Sequence, residues 1–485
     1  MKKILIVHSN PWSFCLAVER SLADEHPASR VDALNLYRLC ESFALNRPVD
    51  RAAEVLNRKF ERFVVPRISG KDITSSVAKA LQNIGIPPLP ASPAELRSYC
   101  LFDAPIGLAV LSSVTSETTV MHPADLSEYG SILSKAWRSA HLSVGLGHII
   151  ATMNYDAAYV FNGRHCTVRP FCDVMQKTTK MFCYEQGGTG KKYVMSDKGI
   201  HNYSAIAELI MNHDFDYEEG EAFYTERLRK APGNEVGFFT ASQVDGLLPD
   251  GVSPGRIVSY FTSSSDETYA ASGTPGFGEF GTQHQIALCI ARVCSQRGER
   301  LVIRFHPHLQ YKHLSWRREW DFEELRANGV LMVEPSDPTD SYALLRASRC
   351  VITCGSTIGF EASYLGVPAA EAGHWAGGGI GALAVLQSQA EVEAFVRSPA
   401  VPTDAREKAI LYGSYARRAG KLLPHLEPGI HPYYARISGR IVDPVRFIYQ
   451  RIRALVSLDS RKTTLQDGKL VVEPSVVRLL TEGSR

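Results

Sequence analysis

Short runs of consecutive apolar residues recur along the chain, separated by stretches whose apolar positions return at helical spacing. The first pattern marks strands buried on both faces, and the second marks helices with one apolar stripe. "ILIVHSN" near the start reads as a strand and "PWSFCLAVERSLADEH" as the helix after it, with Pro11 placed for a helix start. "SRVDALNL" reads as the next strand. From about residue 50 to 150 the pattern is mostly helical, as in "DRAAEVLNRKFERFVV" and "ITSSVAKALQNIG", with Pro-rich punctuation at "IPPLPASP". A second strand group follows in "AAYVFNGR" and "KMFCYEQGG", on either side of the helix "RPFCDVMQK".

"APGNEVG", residues 231–237, reads as a linker after a charged helical run. Beyond it the chain alternates regularly. The strands are "GRIVSYFTSS", "RLVIRF", "GVLMVE" and "CVITCG", and the helices between and after them include "GTQHQIALCIARVCSQRG", "DSYALLRAS" and "TIGFEASYLG". Alternating βα units of this length predict a parallel sheet with right-handed crossovers. The expected organisation is α/β. A Rossmann-like domain with a helical insertion spans 1–232, a second Rossmann-like domain spans 233–430, and a helical segment and tail span 431–485. No G-x-G-x-x-G follows the first strand, which disfavours a nicotinamide dinucleotide.

Composition narrows the class. The 485 residues are 45% hydrophobic and 21% charged, an ordinary soluble balance. With 53 Lys and Arg against 51 Asp and Glu, the net charge of +2 is too small for nucleic-acid binding by bulk electrostatics, so any anion site must be local. The Cys residues form no paired CxxC framework, which favours a reducing compartment and no zinc. The N-terminus reads as a strand and not as a signal peptide, and no apolar run is long enough to span a membrane, so a cytoplasmic protein is expected.

Two strand ends carry the chemistry. "LVIRF" ends at His306-Pro307, and "CVITC" ends at Gly355-Ser356-Thr357 before a helix. Gly355 permits a tight turn, Ser356 or Thr357 can cap the helix, and free amides with the helix dipole attract phosphate. Pro307 stiffens the first turn, and His306 can donate to a phosphate oxygen or take a leaving-group proton. Taken singly, each is more often structural. Paired at one sheet edge they predict a phosphate clamp.

The combination "RFHPHL … PTDSYALLRASRCVITCGSTIGFEASYLGVPA", with "YVFNGR", "FCYEQGG" and "YFTSSSDE", resembles bacterial GT-B glycosyltransferases that build capsule and lipopolysaccharide, over roughly residues 155 to 375. The nearest group uses CMP-activated acidic sugars, Kdo or sialic acid. The resemblance implies a GT-B-like fold, two Rossmann-like domains facing a central cleft, with the donor on the second and the acceptor on the first. It implies no cofactor and no essential metal. The partners would be a nucleotide-sugar donor and an oligosaccharide or lipid-linked saccharide acceptor. The favoured reaction is retaining transfer of Kdo from CMP-Kdo, with a UDP-sugar or CDP-polyol donor as alternatives. A hexosamine-nucleotide 2-epimerase and a non-catalytic polysaccharide-binding module stay open.

Within that frame Arg304, His306, Pro307, Gly355, Ser356 and Thr357 form the nucleotide set. Glu361 joins it as a ligand of the ribose hydroxyls, or else is a partly exposed helix carboxylate. Asp266 is read as a nucleophile, with Glu267 its neighbour and rival, and Ser264 and Ser265 as substrate contacts. The alternative is a helix start with serine caps and acidic first-turn residues. Glu185, at an apolar strand end, is a general acid or base, or a turn carboxylate paired with Lys191 or Lys192. Asn162, Gly163 and Arg164 form a substrate turn in which Arg164 binds a carboxylate or phosphate in bidentate fashion, or makes a local salt bridge. "DPVRFIYQRIRALVSLDSRK", residues 443–462, is a basic amphipathic helix that either touches an anionic inner-membrane surface or packs on the domain.

Overall fold

The computed structural model describes residues 1–8, 13–36, 86–188, 191–230, 240, 242–264, 277–431, 434–437, 440–441, 464–466 and 469–471. The helices read over 50–65 and 73–85, the linker at 231–237 and the segment 443–462 lie outside these residues, as do Ser265, Asp266 and Glu267.

Among the described residues two six-stranded sheets organise the chain. The first contains β1 (Lys3–His8), β2 (Arg30–Asn35), β3 (Ala157–Phe161), β4 (Lys180–Gln186), β5 (Lys192–Ser196) and β12 (Lys421–Leu422), in the order β12-β5-β4-β3-β1-β2. β1 to β4 are parallel, and β5 runs antiparallel to β4. Because β1 is apolar at successive positions, it is covered on both faces. Ile4 and Ile6 pack with α1 (Ser13–Glu25), while Leu5 and Val7 pack with α4 (Ser131–Ala151) and α5 (Arg169–Met175). α2 (Pro93–Ser98) and α3 (Ile106–Thr118) extend that side in a separate core with α4.

The second sheet is parallel throughout. It contains β6 (Ile257–Phe261), β7 (Arg300–Arg304), β8 (Leu331–Val333), β9 (Ser348–Thr353), β10 (Ala369–Ala372) and β11 (Ala384–Leu386), in the order β11-β10-β9-β6-β7-β8. Val258, Tyr260, Leu301 and Ile303 meet α8 (Gln283–Gln296), α9 (Phe322–Ala327) and α13 (Gln389–Arg397) on one face. Ile257, Phe261, Val302 and Val351 meet α10 (Ser341–Ala347), α11 (Ile358–Tyr364) and α14 (Ala405–Arg418) on the other. The short α12 (Ala376–Gly379) follows β10.

The domain boundary differs from the sequence expectation. α6 (Tyr203–Met211) and α7 (Tyr217–Leu228) precede residue 232 yet pack on the second domain, where Ala207, Ile210 and Tyr224 join its core. Gly220 and Gly413 explain the close fit of α7 on α14: a Cβ on Gly220 would lie 2.4 Å from the Ile410 carbonyl oxygen. The crossing between domains therefore lies at 197–202. After α14 the chain returns, and β12 pairs with β5 of the first sheet.

Each sheet has a switch point where the strand order reverses, between β1 and β3 in the first and between β6 and β9 in the second. The two carboxyl edges face each other. Residues 119–128, which follow α3, bond to the 3-10 turn Leu314–Glu319, which lies between β7 and β8. His313 N–H donates to Thr119 Oγ1 at 2.9 Å, Met121 N–H to Ser315 Oγ at 2.9 Å, and Arg318 to both oxygens of Glu128 at 2.8 and 2.7 Å. Two Rossmann-like domains with facing carboxyl edges make a GT-B-like fold. Among the described residues no helix is long and apolar enough to cross a membrane.

Candidate functional site

The loops after β6, β7 and β9 meet at the second switch point and are tied to one another. Ser263 Oγ donates to the Cys354 carbonyl, joining the β6 and β9 ends. Ser263 N–H donates to Gln283 Oε1 at 2.9 Å, and the Gln283 amide N–H donates to Glu319 Oε1 at 3.1 Å. His306 N–H donates to Thr262 Oγ1 at 3.0 Å, joining the β7 and β6 ends. Ser264 follows, half-buried, and is the last described residue of its loop.

Pro307 opens the 3-10 turn Pro307–Tyr311, and His306 caps it by accepting the His308 N–H on Nδ1 at 3.2 Å. With Nδ1 an acceptor, the neutral ring carries its proton on Nε2, so His306 is a hydrogen-bond donor from that atom.

Gly355 has φ 73°, and a Cβ there would lie 2.4 Å from the Trp375 ring. Both facts require glycine. Trp375 is fixed by its own Nε1–H, which donates to the Ala372 carbonyl at 2.8 Å, and by the edge of Tyr203 from α6 at 4.7 Å. Gly355→Ala should therefore lower stability by about 1–3 kcal/mol, the range for a strained left-handed residue, with displacement of Trp375 added. Chemical denaturation with Trp fluorescence reads both. A loss below about 0.5 kcal/mol would show that the turn accommodates a side chain.

Contrary to the cap expected of Ser356 or Thr357, no side chain caps α11. Thr357 Oγ1 instead accepts from Arg227 Nη2 at 3.1 Å, and Arg227 Nε donates to Glu361 Oε1 at 2.6 Å. The Glu361 side chain is 2% exposed, so the ribose role has no accessible carboxylate to carry it. Arg304 is also corrected. It is 1% exposed, and its guanidinium donates to the carbonyls of Glu334 at 2.6 Å and Asp337 at 3.3 Å, while burial pushes its pKa down to about 10. It fastens the end of β7 to the loop after β8. Arg227 was missed in the sequence, because nothing local marks a helical arginine more than a hundred residues from its partners.

At the end of β10, Glu371 accepts the Gly378 amide at 2.6 Å, and burial pushes its pKa up to about 8. A Cβ on Gly377 or Gly378 would stand 2.7 Å from its oxygens, so these glycines let the backbone close around the carboxyl.

The first domain offers a second group. Asn162 has φ 63° and Gly163 φ 83°, and a Cβ on Gly163 would lie 2.6 Å from Cys183 Sγ. Asn162 Nδ2 donates to Glu185 Oε2 at 2.7 Å, and Asn162 Oδ1 accepts the Arg164 amide at 3.3 Å. Glu185 Oε1 also accepts the Gln186 amide at 3.1 Å, and Lys192 Nζ donates to the Arg418 carbonyl. Arg164 Nη2 reaches Ser116 Oγ at 3.4 Å. Thus Asn162, Gly163, Arg164 and Glu185 form one cluster, and Ser264, His306, Pro307, Gly355, Ser356 and Thr357 line the other edge. Among the described residues no group of three or more His, Cys, Asp or Glu could hold a metal ion.

No family model matches the chain, and no curated protein does. Among solved structures it is similar to a Thermosulfurimonas dismutans KpsC, a beta Kdo 2,7 transferase, at 14% identity and TM-score 0.33 over 64% of this chain and 89% of that one. It is also similar to a Methanocaldococcus jannaschii UDP-GlcNAc 2-epimerase, at 12% identity and TM-score 0.28 over 84% and 98%. A Burkholderia vietnamiensis alpha,alpha-trehalose-phosphate synthase is similar at 9% identity and TM-score 0.31 over 86% and 98%. At these scores the likeness decides nothing about activity.

Proposed function

We propose that this chain is a nucleotide-sugar-dependent glycosyltransferase of bacterial surface-polysaccharide assembly. The observation that supports it best is the switch point of the second sheet, where three adjacent strand ends are tied together by hydrogen bonds. Open α/β sheets bind ligands in that crevice. There His306 contributes an imidazole N–H, and the Gly355-Ser356-Thr357 turn contributes backbone amides at the start of α11, of which that of Ser356 already donates to Thr353 Oγ1 at 3.3 Å, a donor set suited to phosphate oxygens.

The donor proposed is CMP-Kdo, transferred with retention to a saccharide acceptor held on the first domain by Asn162, Gly163 and Arg164. The motif "RFHPHL … TCGSTIGF" supports this choice, with UDP-sugars and a CDP-polyol as the competing donors. Asp266 is the proposed nucleophile, with Glu267 as its rival, and Glu185, oriented by Asn162, is proposed to move the acceptor proton. No cofactor or metal takes part in this scheme, and residues 443–462 are proposed to pack on the domain as a terminal helix, with contact to the inner-membrane surface as the alternative.

A thermal-shift panel of CMP, UDP, GDP and CDP tests the reading. The preferred nucleotide, at 100 times its dissociation constant, should add about 2.7 kcal/mol of stability. His306→Ala and Ser356→Ala should each weaken its binding by about 1–3 kcal/mol and leave folding largely intact. Stabilisation by none of the four, or wild-type affinity in both variants, would overturn it.

A further inference from the structure

Basic side chains gather at the carboxyl edge of the first sheet. Arg164 and His165 follow β3, Arg169 opens α5, and His201 lies in the crossing between β5 and α6. His201 is within electrostatic reach of both guanidiniums, and His165 is within reach of Arg164 and His201. The group is built and not merely exposed. Ser113 Oγ accepts the Cys166 amide at 2.8 Å and lies 3.5 Å from His165 Nδ1, so α3 fixes the ring. His201 Nε2 is buried and has no hydrogen-bond partner among the described residues. Asp173, one helical turn after Arg169, is the carboxylate acting on that arginine, with the thiols of Cys172 and Cys183 close by and Glu185 on the far side of Asn162.

Burial first, then Arg164 and the neighbouring cations, push His165 down to about 3 and His201 down to about 4. Both rings are therefore neutral near pH 7, because burial and then the guanidiniums make a further positive charge costly there. An arriving oxyanion would reverse that cost. Arginine forks and imidazole N–H groups are the donors that recognise carboxylate and phosphate.

We infer that Arg164, Arg169 and His201 form a binding site for an oxyanion, carboxylate or phosphate, carried by the acceptor, so that the acceptor is an acidic saccharide. This rests on the glycosyltransferase reading, which it sharpens by naming the acceptor class.

The test follows the histidine ring signals of the full chain by NMR during separate titrations with inorganic phosphate and with acetate. At saturation the His201 signal should move and its pKa should rise by about one unit or more, the size expected from a new anionic partner. A response to phosphate alone assigns a phosphorylated acceptor, and a response to both anions assigns a carboxylate. Arg164→Gln and Arg169→Gln should each weaken the anion about tenfold or more. Should the more buried Arg169→Gln fail to fold, Arg164→Gln alone decides. A silent His201, or a response unchanged in Arg164→Gln, would overturn the inference. Nucleotide stabilisation measured on the same samples separates the two claims. A silent His201 with nucleotide binding intact sinks this site only, whereas anion binding without any nucleotide binding sinks the donor assignment.

Discussion

Incubation with a CMP-linked ulosonic acid should leave a glycosyl adduct on the wild-type chain, and Asp266→Ala and Asp266→Asn should carry none. In a double displacement the carboxylate attacks the anomeric carbon as CMP leaves, and the acceptor hydroxyl then displaces the carboxylate, so two inversions give retention. Removing the nucleophile should cost on the order of 10³-fold or more in transfer rate, because both steps pass through the bond it forms. Intact-protein mass spectrometry reads the adduct, and a transfer assay reads the rate. Asn is the sharper substitution, being nearly isosteric yet unable to attack. Near-normal transfer by Asp266→Ala would end the double displacement and leave an inverting reaction with Glu185 or Glu267 as base.

Arg227→Met should lower stability by about 3–5 kcal/mol, the cost of leaving one half of a buried ion pair uncompensated. The pair is short, at 2.6 Å, and its side chains are 15% and 2% exposed, so solvent cannot replace the lost partner for Glu361. Burial disfavours the Arg227 cation, and Glu361 more than restores it, leaving its pKa raised. Arg227→Met combined with Glu361→Gln should recover most of the loss, since neither residue would then bear a buried charge. Because Thr357 loses its donor in the same variant, nucleotide affinity should fall as well. Denaturant unfolding of both variants decides it. A loss below about 1 kcal/mol in the single variant would place the pair among ordinary exposed ones.

Strands were legible where burial on both faces forces an unbroken apolar run, as in β1, β6 and β9. The Rossmann-like domains followed from the alternation between such runs and helices, and the GT-B-like arrangement from the resemblance that the strand-end motifs carry. The strand-end motifs were legible for a related reason. Gly355 meets a backbone demand that only glycine satisfies easily, and Pro307 meets one set by a turn. What stayed hidden were contacts between distant segments. Arg304 and Glu361 look like ligands because their types and positions suit phosphate and ribose, but Glu334, Asp337 and Arg227, which claim them, lie on other elements. The crossing at 197–202 was hidden similarly: α7 is charged along its length, and its buried Tyr224 and the close approach at Gly220 and Gly413 show which domain it serves.

The return of the chain through β12 has a mechanical consequence. The first crossing leaves from β5, and the second arrives beside it, where Lys421 pairs with Tyr193 and Lys192 holds the Arg418 carbonyl. A Cβ on Gly420 would lie 2.5 Å from the Tyr193 carbonyl oxygen, so the second tether is pressed directly against the first sheet's backbone. Two covalent tethers at one sheet edge limit how far the two domains can separate there. The polar contacts between residues 119–128 and residues 313–318 are a separate join between the same two domains, one that can break without cutting the chain.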